Sequence, residues 1–162
     1  LSTLPAQAAS DGAFGKKLGE VFKAAKRPAR FTESGLPLYS FVPKHRYEGL
    51  RNYYVLKTPV THRIYEIWAT GSFPSLPACN HELGMVHRIL ALRHADNAGV
   101  RPLPDGGLRM VILPRMNILA FCDADSSGAA TLFLQYRDDI LGELANQEAA
   151  DKRAKGADIE GM

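Results

Sequence analysis

The sequence predicts an α+β domain: an antiparallel sheet of about five to six strands, with a central amphipathic helix and a C-terminal helix packed on one side. Three observations point there. Runs rich in aromatic and β-branched residues, closed by Pro or Gly, recur at regular spacing before and after residues 75–96. That middle stretch, SLPACNHELGMVHRILALRHAD, has helical periodicity instead. Strands and helices do not alternate as βαβ units would require, so a parallel sheet is not expected.

The first 13 residues read as a signal-peptide remnant or a disordered terminus. They contain Ala6-Gln7-Ala8, the small-x-small pattern of a signal-peptidase site, which would place the mature start near Ala9 and make the protein exported. Residues 14–150 read as the single domain. At its start Phe14, Leu18, Val21, Phe22 and Ala25 have helical spacing, with basic residues outside the stripe. Gly15 and Gly19 each weaken such a helix by about 1 kcal/mol relative to Ala. A basic amphipathic helix suits an anionic surface, and it also suits ordinary packing on its own domain. Phe14–Gly19 resembles the Gly-and-Leu opening of small outer-membrane assembly lipoproteins over those six residues, without a lipobox cysteine before it, and no function is carried over from it.

Residues 27–37, RPARFTESGLP, read as a loop. Strands are expected at 38–42, 52–57 and 63–69, with Thr58-Pro59-Val60-Thr61 as the turn between the second and third. The central helix is expected to start at Ser75 as N-cap, with Pro77 in its first turn. At about 100° per residue, Cys79, Leu83, Val86 and Leu90 form one buried stripe with Ile89 on its shoulder. Residues 96–107, rich in Pro and Gly, read as a loop. Strands follow at 108–113, 117–122 and 130–136, the last alternating between Leu132, Leu134, Tyr136 and Thr131, Gln135, Arg137. Asp138 is expected to cap a helix from Asp139 to about Ala150, resting on Ile140, Leu141 and Leu144. Residues 151–162 read as a charged tail that frays.

Composition narrows the function classes. The chain of 162 residues is 46% hydrophobic and 23% charged, as in an ordinary globular domain, and has room for one core. No segment approaches the roughly 20 apolar residues of a transmembrane helix. The net charge of +3 is too small to argue for nucleic acid by itself. An exported domain with two cysteines predicts a disulfide, Cys79–Cys122; two buried thiols are the alternative.

Candidate chemistry is sparse. His81-Glu82 resembles the start of a zinc-binding HExxH helix, but the next histidine, His87, lies about 120° around the helix and cannot share a metal with His81. Asp123, Asp125 and Gly128 match part of a calcium loop, whose twelfth position is Leu134 instead of Glu; hairpin turn chemistry explains the same letters. Cys79 near a helix start invites a nucleophile, yet it lies on the apolar stripe. No phosphate-binding glycine loop and no nucleophile elbow is present. Tyr53, Tyr54, Tyr65 and Trp68 have the ring types of a base-stacking platform, but they are equally sheet-core residues.

The expected function is therefore an exported, non-enzymatic binding or interaction domain, with no cofactor or metal. A protein, peptide or anionic surface is expected as partner, ahead of a small-molecule substrate or a specific nucleic acid. The expected contact surface comprises the basic residues Lys16, Lys17, Lys23, Lys26, Arg27 and Arg30 with the aromatic residues Tyr53, Tyr54 and Trp68. The alternative is a small hydrolase-like enzyme using His81, Glu82 and His87 beside the central helix.

Overall fold

A computed structural model of the chain describes residues 12–23, 27–94, 98–103, 107–112 and 115–161. The expected processing site at residues 6–8 and the new start near Ala9 lie outside the described residues, as do Ala25 and Lys26. The elements are β1 (Gly12–Ala13), β2 (Lys16–Lys17), β3 (Arg30–Phe31), β4 (Pro37–Ser40), β5 (Asn52–Lys57), β6 (Ile64–Phe73), α1 (Leu76–Arg93), β7 (Ala98–Pro102), β8 (Leu108–Ile112), β9 (Met116–Ala124), β10 (Ala130–Asp138) and α2 (Asp139–Gly161).

The α+β class is as expected. The main sheet is antiparallel throughout and runs β3-β4-β5-β6-β10-β9-β8-β7. Six longer strands make its body, and the short β4 and β3 extend one edge. It is two meanders joined at their last strands, β6 against β10, with α1 carrying the chain from the centre to the far edge at β7. β7 falls in a stretch whose Pro and Gly content suggests a loop; its pairing with β8, Gly99 opposite Val111, overrides that local signal.

α1 forms as its sequence dictates. The Ser75 side chain accepts from the Ala78 backbone N–H at 3.2 Å, a proline occupies the first turn where no N–H is needed, and Cys79, Leu83, Val86 and Leu90 are buried. Those residues meet Val55, Ile67, Ile118, Leu132 and Leu134 on one face of the sheet. Cys79 and Cys122 of β9 form the expected disulfide, their Cα atoms 6.1 Å apart. No helix among the described residues is long and apolar enough to cross a membrane.

The two helices do not share one side. α2 packs Leu141 and Ala145 against Tyr54, Leu56, Tyr65 and Trp68, a cluster separate from the core under α1. The reason lies in β5. Tyr53 and Val55 point to the α1 face and Tyr54 and Leu56 to the other, so this strand has to be covered twice. Asp138 caps α2 as expected, accepting from the Leu141 N–H at 2.9 Å. Ile140 and Leu144, expected as contacts, face solvent, because the helix turns Leu141, Ala145 and Glu148 inward. Glu148 clamps the β5–β6 turn: its carboxylate accepts from the Val60 N–H at 2.7 Å, the Thr61 N–H at 3.0 Å and the Thr61 hydroxyl at 2.6 Å. α2 also continues through the charged stretch expected to fray, as far as Gly161.

Over its described part, residues 14–23, the expected amphipathic helix is replaced by extended chain and turns. β1 and β2 form a two-residue hairpin, Ala13 opposite Lys16, and its loop residues Phe14 and Gly15 both have positive φ, at 57° and 87°. This is the backbone twist that a tight hairpin needs, and Gly15 supplies it without cost. Beyond it the chain pairs along the start of β6. Gly19 N–H donates to Ile64 C=O at 2.7 Å, Phe22 N–H to His62 C=O at 2.8 Å, and Val21 bridges Arg63. Phe22 is buried by this pairing while Val21 is exposed, the alternation of an extended chain.

Candidate functional site

A cavity of about 490 Å³ opens between the β1–β2 hairpin, residues 44–50, α1 and the end of β10. Its volume is in the range of small-ligand sites. Three local devices shape it. First, the hairpin tip is pinned: the Lys44 N–H donates to the Phe14 carbonyl at 3.0 Å, and Gly15 lies so close to Lys44 that a Cβ there would collide with that side chain. Second, Phe14 holds its left-handed backbone, which costs about 1 kcal/mol, while its ring packs edge-on against Tyr53 at 4.9 Å and Tyr136 at 6.2 Å. Third, residues 44–50 are held from below. The Tyr53 hydroxyl accepts from the Tyr47 N–H at 3.2 Å and donates to the Leu50 carbonyl at 3.0 Å.

The walls are apolar: Leu50, Val86, Leu90 and Leu134 line the interior. The charged lining residues are all basic. Lys16, Lys17, Lys44, Arg46 and Arg93 contribute five cations, with His45 beside them, and among the described residues no Asp or Glu lines the cavity. Lys16 is tied back over the rings of Phe22 and Phe41, at 5.5 and 5.7 Å, and Arg46 lies 5.9 Å from the Tyr53 ring centre. The nearby carboxylate of Glu82 is engaged, accepting the Tyr47 hydroxyl, and Glu82 fits against Gly49, where any Cβ would press on it. Burial, then Glu82, pushes the Tyr47 phenol up to about 12, so it remains a donor at neutral pH.

The structure brings together only part of the expected contact surface. Lys16 and Lys17 line the cavity. Lys23, Arg27 and Arg30 are exposed and away from its lining. Tyr53 and Tyr54 are 3% and 8% exposed on opposite faces, and Trp68 lies with Tyr54 under α2, its indole N–H donating to Glu66 at 2.7 Å. These three cannot form one outward platform. His81 and His87 are both exposed on α1 and do not converge with Glu82, whose partner is Tyr47. Among the described residues no three His, Cys, Asp or Glu side chains gather at metal-binding distance. In the Asp123–Gly128 loop, Asp125 accepts from the Ser127 N–H at 2.8 Å and its hydroxyl at 2.6 Å, the geometry of an Asx turn.

Sequence reasoning missed Lys44, His45, Arg46, Arg93 and Tyr136 as site residues. The first three are consecutive and follow Pro43, a local basic cluster legible in the chain. Arg93 and Tyr136 join them only through the fold. No protein-family model, curated protein or solved structure matches this chain.

Proposed function

We propose that this chain is an exported, non-enzymatic binding domain that docks on an anionic surface through the basic mouth of the cavity. The observation that carries the reading is the sign of the lining charge: five cations gathered from three separate segments, with no carboxylate among the described lining residues. Like charges crowd together at a cost, so a counter-charged partner is the natural complement. Two further features support it. Met85, Ile89 and Leu92, spaced i, i+4, i+7 on α1, are exposed together beside Arg88 and Arg93, the pattern of a helix face at a lipid interface. The Cys79–Cys122 disulfide suits an oxidising compartment.

Each cation near an anionic membrane contributes about 1 kcal/mol, screened over a Debye length of about 8 Å at physiological salt. Wild-type protein is therefore expected to co-sediment with phosphatidylglycerol vesicles at low salt and to be released near half-molar salt. Replacing Lys17, Lys44, Arg46 and Arg93 by Gln should abolish sedimentation with the melting temperature nearly unchanged, since all four are exposed. Equal sedimentation of the two proteins, independent of salt, would contradict the reading.

A further inference from the structure

Within the mouth lies a feature that electrostatic docking alone leaves unused. Tyr136 of β10 lines the cavity and is only 5% exposed, yet its hydroxyl makes no hydrogen bond among the described residues. The ring is buried, but the oxygen is not: His94 Nε2 is the one fully buried side-chain N or O atom without a partner among the described residues, so the Tyr136 hydroxyl opens to the lumen and can donate to whatever enters it. Burial pushes the phenol up to about 12, while the nearby Arg93 pulls the other way, so at neutral pH the hydroxyl carries its proton and can donate. Arg93 also lines the cavity. A donor hydroxyl and a guanidinium facing one lumen match an acid group, and Val86, Leu90 and Leu134 beside them match an apolar body.

We propose that the cavity is a binding site for a single-chain organic acid, its carboxylate held by the Tyr136 hydroxyl and Arg93 and its hydrocarbon lying against Val86, Leu90 and Leu134. This deepens the docking reading and rests on it: the basic mouth gathers anionic amphiphiles, and the cavity takes one of them. Neither half of the ligand suffices. An anion without a tail leaves the apolar wall wet, and a neutral chain leaves the Arg93 guanidinium without a counter-charge.

The test uses decanoate, decanol and acetate as probes on the full chain, followed by the methyl resonances of Val86, Leu90 and Leu134. Decanoate below its micelle concentration is expected to shift all three saturably, and acetate is expected to shift none. The Tyr136→Phe variant keeps the ring and removes only the hydroxyl; it should weaken decanoate about tenfold while leaving the weaker binding of decanol unchanged. Arg93→Gln should likewise weaken decanoate and spare decanol. If Tyr136→Phe perturbs the fold, Ile89→Glu, at an exposed position on the rim, should weaken decanoate selectively by placing a carboxylate at the mouth. Decanol binding as tightly as decanoate, or decanoate leaving these methyls unmoved, would overturn the proposal. Vesicle sedimentation that persists without decanoate binding retires this inference and spares the docking reading, whereas loss of both retires both.

Discussion

Reduction of the Cys79–Cys122 disulfide is expected to destabilise the fold by about 4 kcal/mol, the chain-entropy value for a bridge of this span. The two cysteines are 43 residues apart in sequence, and the loop they close contains α1 beyond its first turn, all of β7 and β8, and most of β9. In the unfolded chain that loop is long and its closure correspondingly restrictive. In the native state the bridge ties the first turns of α1 to β9. Without it, α1 is held to the sheet by the non-covalent packing of Cys79, Leu83, Val86 and Leu90. Those residues include two walls of the cavity, so reduction should weaken ligand binding as well as stability. Denaturant unfolding with and without reductant measures the first effect, and a Cys79→Ala/Cys122→Ala variant should reproduce it. A midpoint unmoved by reduction would mean that the bridge constrains neither state.

The second large effect is expected from Gly71→Ala, about 3 kcal/mol of destabilisation with loss of anion binding. Gly71 is buried in β6, opposite Leu132 of β10. A Cβ there would fall inside the Gly49 carbonyl oxygen and within 3.1 Å of the Gly49 carbonyl carbon. Both obstacles are backbone, so no rotamer change relieves the collision. β6 is fixed between β5 and β10, which leaves residues 44–50 to move. That segment carries Lys44, Arg46 and Tyr47, and its displacement would open the mouth and break the Tyr47–Glu82 hydrogen bond. Gly84→Ala serves as the control. Nothing lies within 4 Å of a Cβ at Gly84 on the exposed side of α1, so Ala should stabilise by about 1 kcal/mol through helix propensity. A Gly71→Ala protein that melts and binds like wild type would show that this close approach is dispensable.

The parts of the fold legible in the sequence are those whose determinants are local. Ser75, Pro77 and the 3.6-residue spacing of Cys79, Leu83, Val86 and Leu90 specify α1 within one stretch of chain. The alternation of Leu132, Leu134 and Tyr136 likewise specifies which side of β10 meets the core. The N-terminal segment misleads because Phe14, Leu18 and Phe22 are four apart, a helical spacing, although Phe14 packs on Tyr53 and Tyr136 and Phe22 is carried inward by pairing with residues 62–64, some 40 residues later. Gly15 and Gly19, both at positive φ, were the local sign against a helix. Placement of the helices on opposite faces was also legible in principle. Tyr53 to Leu56 is an unbroken apolar run, which a strand covered on one face alone does not need. The cavity was not legible, because its cations come from β2, from residues 44–46 and from the end of α1. No spacing in the sequence relates these segments; only the topology does.

On the proposed function, the basic mouth of this cavity is where the protein meets its partner. The most direct measurement is a map of backbone amide shifts on titration with dihexanoyl phosphatidylglycerol below its micelle concentration. The shifts are expected to gather on residues 12–17, on residues 44–47 and on the last turn of α1, and to disappear near half-molar salt. Shifts that leave these three segments still and fall instead around Trp68 and α2, on the opposite face of the sheet, would contradict the account.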